Sequence, residues 1–102
     1  MIRHIVLIGF RREISEATIA AIFDDVVAMK VTIPGVLAVT AGRSESPEHI
    51  ERGFKHGFVL DLIDWGALQA YQQHPDHRAI SASLIAHATG GLDGILVFDL
   101  PC

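Results

Sequence analysis

Ile19, Ile22, Phe23, Val26, Met29 and Ile33 recur at helical spacing over about five turns, and Pro34-Gly35 ends the run. Ser15 is placed to cap this helix, with Ile14 before it and Ile19 in the fourth helical position able to form a hydrophobic staple. A long helix with a single apolar stripe needs a surface to lie on, and the flanking stretches supply one. Ile2 to Phe10 and Val36 to Gly42 both read as strands. In the first, Ile2, His4, Val6, Ile8 and Phe10 share one face, while Arg3, Ile5, Leu7 and Gly9 share the other. Both faces carry bulky aliphatics, so both are expected to be covered.

The rest of the chain continues the same alternation. Arg43 to Gly53 is polar and reads as a long hairpin loop. Phe54 to Ile63 is a third strand, with His56, Phe58, Leu60 and Leu62 on one face and Lys55, Gly57, Val59 and Asp61 on the other. Asp64 caps a short helix from Trp65 to about Gln72, in which Leu68 and Tyr71 lie three apart. His74 precedes a proline and is pushed out of helical geometry; Pro75 opens a second helix to about His87, striped by Ile80, Leu84 and Ala88. Gly90-Gly91 ends it, and Ile95 to Leu100 is the last strand. Trp65 is expected in the core.

The order β-α-β-β-α(α)-β is that of the ferredoxin-like split unit: α+β, an antiparallel four-stranded sheet with helices on one face, one domain over residues 1–102. Helices cover only one face of such a sheet, and Ile5, Leu7 and Val59 lie on the other. The expected cover is a second copy of the chain, a homodimer with its two sheets face to face. Half of the residues are hydrophobic, a surplus for one small core.

Several function classes are excluded by composition. The net charge of −4 leaves no basic footprint for nucleic acid. No apolar run approaches the ~18 residues of a membrane span. The first segment alternates like a strand and lacks the cleavage site of a signal peptide, so a cytoplasmic location is expected. A lone Cys102 excludes an internal disulfide and a cysteine metal cluster.

Groups that can move protons concentrate between the last two helices, where Tyr71, His74, Asp76, His77 and Arg78 fall within eight residues. His77 lies in the first turn of its helix, where the dipole disfavours a protonated imidazole and keeps it able to accept a proton. Beside it, the Tyr71 hydroxyl is suited to donate to a developing enolate oxygen. Asp99 sits among apolar residues, where an unpaired carboxylate is costly; antiparallel pairing of the last strand with the first brings it near His4. His4 and His56 belong to antiparallel strands and fall toward opposite ends. No H-x-H or H-x-x-x-H pair offers close ligands on one element, so no metal site is expected. The residues alone leave a second reading open, in which His74 and His77 only brace the helix–helix corner.

Four stretches together have a familiar pattern: the opening from Ile2 to Phe10; Ile33-Pro34-Gly35-Val36; Tyr71-x-x-His74-Pro75-x-His77-Arg78; and Val97-Phe98-Asp99. They resemble the stress-responsive dimeric α/β-barrel (Dabb) family over nearly the whole chain. That resemblance implies the ferredoxin-like fold and a barrel-like homodimer. Its best understood relative, olivetolic acid cyclase, closes a linear poly-β-ketone by aldol chemistry without a cofactor. The likeness carries that enzyme's catalytic tyrosine and histidine onto Tyr71 and His77, and its two strand histidines onto His4 and His56. On helix 1, Val26 stands where that relative has a tyrosine.

The expectation is therefore a small apolar carbonyl or polyketide-like ligand in a cavity between helices and sheet. Tyr71 and His77 would do the acid–base work, supported by His4, His56, His74 and Asp99. Val6, Ile8, Phe23, Val26 and Phe58 would line the pocket, with no cofactor or metal. Two alternatives accompany it: a non-catalytic, stability-conferring stress-response dimer, and a cofactor-free monooxygenase of the same fold.

Overall fold

The computed structural model describes residues 1–102. The elements are β1 (Ile2–Ile8), α1 (Glu16–Thr32), β2 (Val36–Arg43), β3 (His56–Leu62), α2 (Trp65–Gln73), α3 (Pro75–His87), a 3-10 turn (Gly91–Gly94) and β4 (Ile95–Pro101). The sheet order is β2-β3-β1-β4, and β1 is antiparallel to both its neighbours. This is the ferredoxin-like α+β fold, with the helices on one face of the sheet.

Local chemistry accounts for the element ends. The Ser15 hydroxyl accepts from the Thr18 amide at 3.1 Å and caps α1; the Asp64 carboxylate accepts from the Ala67 amide at 2.8 Å and caps α2. Ile33 leaves helical geometry at φ −111° because Pro34 follows it. Two strands are shorter than their patterns suggest. β1 stops at Ile8 because β4 begins opposite it, at Ile95, and beyond that point Phe10 makes only an isolated bridge to Ala88. β3 starts at His56, the partner of Arg43 at the end of β2; Phe54 closes a turn instead, its amide donating to the Glu51 carbonyl at 3.0 Å. Trp65 is 55% exposed: it opens α2, and the buried stripe begins a turn later at Leu68.

The core joins Ile2, Val6 and Ile8 of β1, Phe58, Leu60 and Leu62 of β3, and Ile19, Ile22, Phe23, Val26 and Met29 of α1, with α2 and α3 closing it through Leu68, Tyr71, Ile80 and Leu84. One turn holds α1, the sheet and α2 together. Gly35 has φ +88°, its carbonyl accepts from the Ile63 amide at 3.1 Å, and an added Cβ would lie 2.7 Å from the Ala67 Cβ. Gly35→Ala therefore combines left-handed strain with overpacking, an expected cost of about 2–4 kcal/mol. Gly42→Ala, with nothing within 4 Å of the new Cβ, is the neutral control. Urea midpoints of the two variants check the difference.

The opposite face of the sheet is apolar and uncovered in one chain. Residues paired across a ladder point to the same side, so Ile5 and Leu7 of β1 share this face with Phe98 and Leu96 of β4. Leu96 is 42% and Phe98 54% exposed, and the Arg3–Asp61 pair at 2.9 Å places charge beside them.

Candidate active site

β1 and β4 set His4 and Asp99 side by side as register partners. The His4 Nδ1–H donates to Asp99 Oδ1 at 2.5 Å, so the one polar residue buried in the core is held by a carboxylate. Asp99 thus finds the partner that its apolar surroundings demand.

The α2–α3 corner brings the other two groups against this pair. His74 is extended (φ −66°, ψ 137°) because Pro75 follows, and it closes α2 and caps α3, its Nδ1 accepting from the Asp76 amide at 3.1 Å. The chain turns back at that point. His77 in the first turn of α3 then lies over Tyr71 in the last turn of α2, with ring centroids 4.3 Å apart. Tyr71 in turn meets His4 edge-on at 5.3 Å. The His77 Nδ1–H donates to the Gln72 carbonyl at 3.0 Å, which leaves the lone pair of the neutral ring on Nε2.

The environment assigns these groups different protonation states. Burial, and secondly the negative charge of Asp99, pushes the Tyr71 phenol well above its ordinary 10.0, so it is a neutral hydroxyl donor. Burial lowers His77 below its ordinary 6.5; the bond to Gln72 opposes this, while His4 and Arg78 add to it. The neutral imidazole is thus owed first to desolvation rather than to the helix dipole. Below pH 6.5 the unfolded chain takes up this proton before the folded one does, so stability falls as pH drops through the window under 6.5. His77→Gln is expected to remove that part of the pH slope, read as wild type minus variant in denaturant unfolding at pH 5 to 8.

These side chains line a cavity of about 210 Å³ with Val6, Phe58, Ile80, Leu84, Ile95 and Val97 as apolar walls and Gln72, Ser81 and Leu92 completing it. No buried side-chain polar atom lacks a partner. The Tyr71 hydroxyl, His4 Nε2 and His77 Nε2 bond to no protein group, and the three side chains line this space. A groove of about 300 Å³ between α1 and α3 is larger, but it offers only Asp25, Asp76 and the hydroxyls of Thr32 and Ser83, with no imidazole or phenol. The phenol and the two imidazoles border the smaller cavity.

Of the residues expected around the pocket, His4, Val6, Phe58, Tyr71 and His77 line it, and Asp99 stands behind His4. Ile8, Phe23 and Val26 do not: they are packed into the core. His74 is a helix cap. His56 pairs with Ile8, four positions along β1 from His4, and donates to the Glu16 carboxylate at 3.1 Å. There its ring meets Phe10 at 5.3 Å and Phe23 at 6.4 Å, so it belongs to an aromatic cluster at the far end of the sheet. Ile80 and Leu84 lie on the apolar stripe of α3, a signal that could have found them. Leu92 lies on a turn that only tertiary packing brings to the cavity. No group of three His, Cys, Asp or Glu side chains is gathered to hold a metal ion, and no helix is long and apolar enough to cross a membrane.

No curated protein matches the chain. Among solved structures, a dimeric ferredoxin-like protein of unknown function from Jannaschia sp. CCS1 is similar at 28% identity and TM-score 0.90, covering 99% of this chain and 98% of its own. A protein of Arabidopsis thaliana shares the fold at 22% identity and TM-score 0.88, over 100% of this chain and 95% of that one. A hydroxynitrile lyase from Passiflora edulis does so at 18% identity and TM-score 0.84, over 97% and 90%. The model of the stress responsive A/B barrel domain matches residues 2–102. With its whole length matched and its fold shared, the chain belongs to the stress responsive A/B barrel domain family.

Proposed function

We propose that the chain binds a small apolar carbonyl compound in the 210 Å³ cavity and enolises it. His77 Nε2 takes a proton from the carbon beside the carbonyl. The C–H electron pair becomes the enolate double bond, the carbonyl π pair moves to oxygen, and the Tyr71 hydroxyl donates a hydrogen bond to that oxygen. His4, oriented by Asp99, adds a second imidazole to the same wall. An enolate so held can go on to form or break a carbon–carbon bond, as in a cyclase or lyase. The observation that carries this reading is the gathering of three proton-handling side chains, each with a polar atom free of protein partners, around one apolar cavity.

Relatives lend support of a coarser kind. One protein of the same fold is a hydroxynitrile lyase. The test is exchange of the methyl protons of acetophenone in deuterium oxide, followed by NMR. Exchange above the buffer rate supports the proposal; buffer-rate exchange with native protein points instead to a non-catalytic stress-response dimer.

The working unit in this proposal is a homodimer formed through the open sheet face. Solved relatives from Jannaschia and Thermobifida fusca are described as dimeric. Ile5, Leu7, Leu96, Phe98 and Leu100 give this chain an apolar surface of the matching kind.

A further inference from the structure

The two sides of the cavity differ in a way that bears on which ligand fits. Phe58 of β3 and Val97 of β4 flank Val6 of β1 from opposite sides. On the β4 side the wall is open to solvent, with Val97 54% and Leu92 68% exposed. On the β3 side Phe58 is only 3% exposed. Behind it the ring packs edge-on against Phe23 at 6.2 Å, and Phe23 packs on Phe10 at 6.0 Å and on His56 at 6.4 Å. His56 is itself tied to Glu16. Four interlocked aromatic rings fill the helix–sheet space beyond the cavity, and close-packed interiors of this kind do not yield to an oversized guest.

We propose that Phe58, backed by the Phe10–Phe23–His56 cluster, is the specificity-determining wall that restricts the site to single-ring or comparably compact carbonyl compounds. An apolar cavity of about 150 Å³ accommodates benzene, so about 210 Å³ holds one ring and a short carbonyl substituent. The carbonyl lies at the Tyr71–His77–His4 end, and the ring lies among Val6, Phe58, Leu84 and Ile95. A second fused ring directed toward β3 would have to displace Phe58, and one directed toward β4 would project into solvent past Val97 and Leu92 and stay unburied. This inference rests on the reading of the cavity as the ligand site, and it deepens that reading by naming the size class and the residue that sets it.

Binding of acetophenone and of 2-acetylnaphthalene to the full chain, by titration calorimetry, tests it. Apolar area alone favours the two-ring compound; the wild type is expected to prefer the one-ring compound by about tenfold or more. Phe58→Val is expected to reverse that order. Phe58→Leu, a milder change that keeps a large apolar side chain, is expected to shrink the preference if the first variant does not fold. Equal or tighter binding of the naphthyl ketone to wild type overturns the inference, as does an unchanged ratio in Phe58→Leu. If acetophenone binds with the stated preference but its methyl protons do not exchange, the enolising role fails while the size limit stands. If neither compound binds, both are overturned.

Discussion

Tyr71→Phe is expected to lower methyl-proton exchange about a hundred- to a thousand-fold, the usual loss on removing one donor from a developing oxyanion. Its stability should scarcely change. The Tyr71 hydroxyl bonds to no protein group, and the ring that fills the core at 1% exposure is retained. A structural tyrosine would behave in the opposite way, with folding disturbed and nothing else to lose. His77→Gln is expected to reduce exchange by about a hundred- to ten-thousand-fold, because the base itself is removed. The stability cost should be about 1 kcal/mol, for the bond to the Gln72 carbonyl. The double variant should lose no more than the worse single one, since base and donor act in one step. Unfolding midpoints and exchange rates on the same samples separate the two roles. Normal exchange in both single variants would end the acid–base reading.

The second large effect concerns the open sheet face. Wild-type protein at micromolar concentration is expected to sediment with twice the chain mass of 11.1 kDa. Phe98→Asp should bring it down to 11.1 kDa. Phe98 is 54% exposed in the single chain, so its replacement removes little from the monomer core. In a two-fold dimer each substitution counts twice. The variant gives up about 1.5–3 kcal/mol of aromatic burial per chain and places an unpaired carboxylate in an apolar contact. A wild-type mass of one chain would refute the sheet-face dimer, and a dimeric Phe98→Asp would move the interface elsewhere.

Much of the fold could be read from periodicity because its signals are local. The spacing of Ile19, Ile22, Phe23, Val26 and Met29, the cap at Ser15, the stop at Pro34-Gly35 and the alternation in β1 each depend on neighbours a few residues away. The strand order then follows from topology, and with it the nearness of Asp99 to His4. The strand ends were less legible. A strand stops where its partner stops, and the starts of β4 at Ile95 and of β3 at His56 are set by the ladder rather than by the residues in it.

The candidate site divides in the same way. The sequence by itself supplied the candidate proton-moving groups, Tyr71 and His77 with His4, His56, His74 and Asp99, since residue type and the proline-set corner at His74-Pro75 are both written in the chain. It could not separate cavity from core. Phe23, Val26 and Ile8 lie on the inward faces just as Val6, Phe58 and His4 do, yet the first three are packed away and the last three border the open space. Periodicity reports only the direction of a side chain. Whether that direction ends in another side chain or in a void depends on how α1, α3 and the 3-10 turn lie over the sheet. Tertiary structure alone decided this, by filling one end with Phe10, Phe23, Phe58 and His56 and leaving the other open above Tyr71 and His77.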